Sequence, residues 1–439
     1  MLLSLLLLAC TPTVPTAVVP SSAPQPFHLT DSDGRTLIHR GVNLNSAAKR
    51  RPDYAHGLSE AELDLLPAHG ITLVRYLVFW EAIEPEDGQF DEAYLARVHA
   101  EVSALSDRGL KIVLDLHQDV YGEGFGSTGL PAWTCDSAYY DAFTWNDSNW
   151  FLNYADPSVI ACFDGFWASP ELQDRYALAA AHLVEETRDI PGVTGLDVMN
   201  EPFWGSLTSL EHDTVALPAF YARVLSRVRE VHPTLRLWLA PSVTSNLDGQ
   251  TALDLSGIDD PYIGLAPHFY PPYAELGTGW NGDFSTESAT LGRLLDHAEE
   301  QGVPFMLGEF GIFSALGGED DYIREVLGAV HARGGSAVWW SFDRGSGVLT
   351  EDGSAGALLP VFAEPWVHKI PGTLESIGER VELTLHGEGS LEWVAPGAGP
   401  CTAEVDGGEL LGLEQSSDRV EVRVSGSGRL SVRLRCEAP

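Results

Sequence analysis

Two glutamates could do chemistry together. Glu201 lies in "MNEP" and Glu309 in "LGEFG", each closing a short apolar run. A protonated carboxyl facing an ionised one is the apparatus of glycoside hydrolysis. The first gives its proton to the leaving oxygen, and the second attacks the anomeric carbon. Another apolar run carries Arg75, and others end in polar or aromatic groups: His117 with Asp119, Asn200, His268 with Tyr270, and Trp340. Burying so many polar groups without partners would cost stability, so they are expected to meet at one mouth. There Arg75 would hold Glu309 ionised and Tyr270 would donate a hydrogen bond to it. Repulsion and local partners would separate the two carboxyl pKa values. Asn200 can bond a sugar 2-hydroxyl, and Trp340 offers a flat face for a sugar ring.

These residues need a scaffold that gathers strand ends. Eight apolar runs read as strands buried on both faces: 36–44, 71–79, 110–117, 193–201, 235–242, 262–270, 303–311 and 335–342. Helical patterns fill most gaps, at 58–70, 91–109, 169–189, 217–232, 290–302 and 319–335. The stretch 243–261 carries no convincing helix. This α/β alternation predicts a (β/α)8 TIM barrel, whose active residues gather at the C-terminal strand ends. Past about 366 the period falls to two, which predicts a small C-terminal antiparallel β-sandwich. The expected division is 27–366 for the catalytic barrel and 367–439 for the sandwich. A long insertion, 118–168, follows the third strand.

That insertion contains Gly124-x-Gly126-x-x-Gly129, the spacing of a dinucleotide loop. A phosphate cradle would open a helix straight from its glycines. Here His117–Tyr121 intervene and Leu130-Pro131 follow, so the spacing is read as a close-packed bend and no cofactor is expected. The cysteines show no zinc-type spacing, and no metal is expected. With 63 acidic against 26 basic residues the net charge is −37, which excludes nucleic acid as a partner. Nothing points to an oligomer, so a monomer is expected.

The N-terminal "MLLSLLLLAC" is too short to span a bilayer and resembles a bacterial lipoprotein signal (1–10). Residues 11–26, rich in Pro, Ser and Thr, would be a tether. The chain is expected to be exported, either lipid-anchored through Cys10 or secreted. The other four cysteines allow three pairings, and proximity favours Cys135–Cys162 and Cys401–Cys436.

The ensemble Arg75, His117, Asn200-Glu201, His268-x-Tyr270, Glu309 and Trp340 resembles clan A glycoside hydrolases, family 5. Within that family "LDLHQDVYGEGFGSTGLPAW", "MNEPFWG" and "GVNLNSAAKR" resemble endoglycosylceramidases. The resemblance implies a retaining mechanism, with Glu201 as acid/base and Glu309 as nucleophile. It also implies that Lys49, His117 and Asp119 hold sugar hydroxyls, with Trp167 as a further sugar platform. The implied substrate is a glycosphingolipid, cut between oligosaccharide and ceramide. The same chemistry on a steryl or alkyl β-glucoside or on a β-glucan stays open. So does a non-catalytic carbohydrate- or lipid-binding surface protein, though retention of both glutamates argues against it.

Overall fold

The computed structural model describes residues 27–271, 280–312, 317–345 and 347–437. The signal and tether expected over 1–26 lie outside the described residues. Fifteen strands follow in chain order: β1 (Thr36–Leu37), β2 (Arg40–Leu44), β3 (Leu73–Val78), β4 (Lys111–Leu116), β5 (Val193–Asp197), β6 (Arg236–Leu239), β7 (Ile263–Leu265), β8 (His268–Phe269), β9 (Met306–Phe310), β10 (Ser336–Trp339), β11 (Trp366–Ile370), β12 (Thr373–Ile377), β13 (Val381–Val394), β14 (Cys401–Gln415) and β15 (Arg419–Cys436).

Strands β2 to β10 form one parallel sheet in the order β7-β6-β5-β4-β3-β2-β10-β9-β8. β7 and β8 are two halves of one strand, interrupted at Ala266-Pro267, where proline has no N–H to give the ladder. The interrupted strand still touches both neighbours: Ala266 N–H donates to Leu239 O, and Leu265 N–H donates to Pro304 O. The sheet therefore closes on itself as an eight-stranded barrel. Leu73, Val113, Trp238, Ala266, Met306 and Val338 plug its interior. Trp238 fits because glycines face it. A Cβ on Gly264 would lie 2.5 Å from Trp238 Cζ3, and one on Gly195 2.8 Å from its Nε1.

The helices Glu92–Asp107, Pro170–Thr187, Leu217–Val231, Ser285–Gln301 and Glu319–His331 lie within or close to the periodic stretches. Asp91 and Ser169 cap two of them by accepting backbone N–H bonds, and Pro170 opens the second. The expected helix at 58–70 is instead two single turns, Glu60–Leu63 and Leu65–Ala68. After β6 there is one helical turn, Ser245–Asp248, stopped by Gly249 in the left-handed region.

The expected strand 36–44 also divides. β2 enters the barrel, whereas β1 pairs with β11 in a second, antiparallel sheet. That sheet runs β1-β11-β13-β15-β14, with β12 on β13. Its long strands serve two halves: β11 pairs with the end of β13, and β12 with its start. Leu374 and Leu383 from one half share a core with Trp366 and Leu391 from the other, a sandwich-like arrangement. Disulfides join Cys135 to Cys162 and Cys401 to Cys436, as proximity suggested.

Candidate active site

Glu201 and Glu309 meet at the C-terminal mouth of the barrel. One carboxylate oxygen from each, with one nitrogen of His268, lies within 4.8 Å of the others. Both glutamates are buried. A cavity of about 650 Å³ opens over them.

Glu309, on β9, is held by a cation. Arg75, on β3, donates from Nη1 to Glu309 Oε1 at 2.7 Å, and Tyr270 Oη donates to Oε2 at 2.8 Å. Arg75 is fully buried and makes four hydrogen bonds and a further ion pair. Nε faces Asp197 at 2.9 Å, Nη1 also reaches Asn43 Oδ1, and Nη2 reaches Asn200 Oδ1 and Asp115. Burial opposes its charge, but Asp115, Asp197 and Glu309 outweigh that and keep it cationic. Three carboxylates around one guanidinium exceed its charge, and burial pushes Asp197 above the usual carboxylate range.

Glu201 follows β5 and has different partners. Burial first, then the charge of Asp119, raises its pKa to about 7. Its Oε1 receives Asn246 Nδ2 at 2.7 Å and faces His268 Nδ1 at 3.0 Å. Burial pushes His268 down to about 4, so the ring is neutral near pH 7. When Glu201 is ionised, Nδ1 must carry the ring proton. Both bonds fall on Oε1, which leaves Oε2 to carry the exchangeable proton. The backbone here is strained: Glu201 has φ 41°, left-handed for a non-glycine residue. Gln118 Nε2 holds that bend by donating to the carbonyls of Asn200 and Glu201.

A polar wall lies beside the pair. Lys49 Nζ sits 2.6 Å from Asp119 Oδ2 and 4.5 Å above the Trp340 ring. His117 stacks on Trp340 and bonds Asp115 through Nδ1 at 2.7 Å. Burial and Lys49 oppose charge on His117, but Asp115 and Asp119 raise its pKa nonetheless. Burial alone would raise Asp119, yet Lys49 and His117 hold it far below the carboxylate range. The lining also has apolar members: Trp150, Phe151, Val243 and Leu247.

The structure thus brings together Lys49, His117, Asp119, Asn200, Glu201, Tyr270, Glu309 and Trp340 on the cavity wall. Arg75 and His268 support it from behind through the bonds above. Trp167 is a correction. It does not line the cavity, because its indole N–H is bonded to Phe203 O at 2.8 Å and its ring packs on His212 and Phe220. Sequence reasoning missed Asn43, Asp115, Asp197 and Asn246. A signal existed for two of these: Asp115 and Asp197 interrupt apolar strands, and a buried acid needs a buried cation. Asn246 lies on the short turn where no element was expected.

The glycine motif is settled by packing. Gly124 lies in the 3-10 turn Glu123–Phe125, and a Cβ there would meet the Tyr140 ring at 2.2 Å. A Cβ on Gly129 would lie 2.5 Å from Gln118 Cβ, while its N–H donates to Glu81 Oε2. The glycines let this loop pack under Gln118, which in turn holds Glu201. As to metals, Glu201, His268 and Glu309 have donor atoms close enough for an ion, as do Glu92, His182 and Glu186 outside the barrel. At the mouth, Arg75 already supplies the cation to Glu309.

A barrel that sets two buried glutamates across its mouth, one beside arginine and one protonatable near neutrality, has the architecture of a two-carboxylate glycosidase. The chain belongs to the cellulase family, glycosyl hydrolase family 5, whose model matches residues 31–346. It is similar to endo-glycoceramidase II from Rhodococcus sp., at 32% identity, TM-score 0.81, 94% of this chain and 100% of that one, in a structure described as a lactosyl-enzyme intermediate. The same protein is known in complex with ganglioside GM3. Endoglycoceramidase I of Rhodococcus hoagii (strain 103S) is 33% identical over 229 residues, 50% of this chain and 46% of that protein. A glucosylceramidase of Cryptococcus neoformans var. grubii is 30% identical over 241 residues, 40% of this chain and 32% of that one. The chain therefore spans less than half the length of these two curated relatives.

Proposed function

We propose that this protein is a retaining β-glycosidase that cuts glycosphingolipids between oligosaccharide and ceramide. The observation that carries this reading is the unlike pair of glutamates in a cleft lined by both polar and apolar side chains. Retaining enzymes hold their carboxyl groups ~5–5.5 Å apart, and one oxygen of each glutamate here lies within 4.8 Å of the other. The relatives named endoglycoceramidase add support, as does the lactosyl-enzyme form of one of them.

In the first step Glu309, ionised beside Arg75, attacks the anomeric carbon. Glu201 gives its Oε2 proton to the glycosidic oxygen, and ceramide leaves. In the second step Glu201, now a carboxylate, takes a proton from water. That water attacks the same carbon and frees Glu309. Asn200 keeps one Nδ2 proton on Gln118 O and presents the other to the sugar 2-hydroxyl. Lys49, His117 and Asp119 bind sugar hydroxyls over the Trp340 face. Trp150, Phe151, Val243 and Leu247 receive the lipid, and Leu152 beside them is 51% exposed. Catalysis needs no metal in this scheme. The test is digestion of a glycolipid panel with mass spectrometry of the products. Intact oligosaccharide plus ceramide is expected. Release from steryl glucoside or β-glucan alone would sink the lipid assignment.

The same proposal extends to location. Export, with Cys10 as lipid anchor and 11–26 as tether, is supported by the apolar start of the chain and by two disulfides that suit an oxidising compartment. Metabolic labelling with a fatty acid should mark the intact chain and not a Cys10→Ala variant.

A further inference from the structure

Arg50 is an exception in this molecule. Acidic residues outnumber basic ones by 63 to 26, so arginines find partners easily. Among the described residues every other arginine makes a hydrogen bond, an ion pair or a ring contact. Arg50 makes none, is exposed, and lines the active-site cavity.

Its position is fixed by what surrounds it. Arg50 ends the 3-10 turn Ser46–Arg50, whose Lys49 is tied to Asp119 and Trp340. The next residue, Arg51, turns away to pair with Asp53. Arg344 lines the same cavity with Nε and Nη2 bound to Glu62. Of the acids that line the cavity nearby, Asp119 is paired with Lys49, and Asp343 is engaged locally: Ala47 N–H donates to Oδ1, and the Ser46 and Ser341 hydroxyls donate to Oδ2. An unpaired guanidinium at the polar end of a cleft, on a chain this acidic, is placed for an anion from outside the protein. Guanidinium forks recognise carboxylates and sulfates by paired, charge-assisted hydrogen bonds.

We propose that Arg50 forms a subsite for an acidic sugar, bearing a carboxylate or sulfate ester, carried beyond the sugar that Lys49, His117 and Asp119 hold. This rests on the glycan-side reading of the polar wall given above.

The test is a titration of the full chain carrying Glu201→Gln, so that no ligand is turned over. The probes are lactose, sialyllactose and sulfated lactose. At least one acidic probe should bind about tenfold more tightly than lactose, and the preference should shrink as salt rises. Adding Arg50→Gln should reduce it to less than threefold. The two acidic probes separate carboxylate from sulfate as the natural group. No preference at the start, or one that survives Arg50→Gln, overturns the subsite. Release of lactose from lactosylceramide by the unaltered protein is read separately. Its failure would sink the proposed function, while the titration still decides whether Arg50 selects anions.

Discussion

Replacing Asn246 by alanine removes the amide that stands 2.7 Å from Glu201 Oε1. That amide can only donate from nitrogen, so it favours the ionised form of Glu201. A hydrogen bond to a buried charged acceptor contributes ~1.5–3 kcal/mol. Asn246 lines an open cleft, so water can take part of its place and the lower end applies. At ~1.4 kcal/mol per unit, the Glu201 pKa should rise by about one unit. Its starting point is about 7. Glu201 must be protonated to release the aglycone, so the alkaline limb of kcat/KM should move up by that unit. The activity at its maximum should fall about tenfold, because Oε2 is no longer aimed at the leaving oxygen. The assay is a pH series from 4 to 10 on a soluble β-glycoside, for Asn246→Ala and the parent protein side by side. A limb that stays put or moves down would refute the reasoning, even if activity fell.

Glu309→Gln should lower kcat by at least ~1,000-fold, since it removes the nucleophile and leaves Arg75 facing a neutral amide; full activity on glycolipid would overturn the assignment. Glu201→Gln should stabilise the protein at alkaline pH. The folded pKa of Glu201 lies above its unfolded value, so the folded state binds more protons and stability falls as pH rises from about 4.5 to about 7. Thermal melts should therefore show the gap between variant and parent widening across that window to about 3 kcal/mol, then staying constant. Removing the Cys135–Cys162 bridge, which closes a separation of 27 residues, should cost about 3.5 kcal/mol by loop entropy. Denaturant unfolding of Cys135→Ala/Cys162→Ala measures that loss, and a change below ~0.5 kcal/mol would show that the insertion is held by packing alone.

Much of this protein could be read from its residues because barrel strands are buried on both faces and announce themselves as apolar runs. Where such a run carries Arg or ends in His, Asn-Glu or Glu, the fold can only be facing its own mouth. That is why Glu201, Glu309, Arg75 and the His117–Asp119 pair were found. Positions that depend on partners were not legible in the same way. Trp167 has the composition of a sugar platform, but its neighbours claim its ring and N–H. The run 36–44 looks like one strand, but its first part binds the second sheet. Asn246 sits on one turn of helix, too short for any periodicity, and only strand order brings it to Glu201.

The sequence by itself determined the alternation of strands and helices, the two carboxylates and the polar strand ends, since these follow from local hydrophobic patterning. Only the tertiary structure decided how each carboxyl group is partnered, Glu309 by Arg75 and Tyr270 and Glu201 by Asn246 and His268. That depends on burial, on charges brought from β3 and the loop after β4, and on an amide from the turn after β6, groups far apart in the chain that meet only in space.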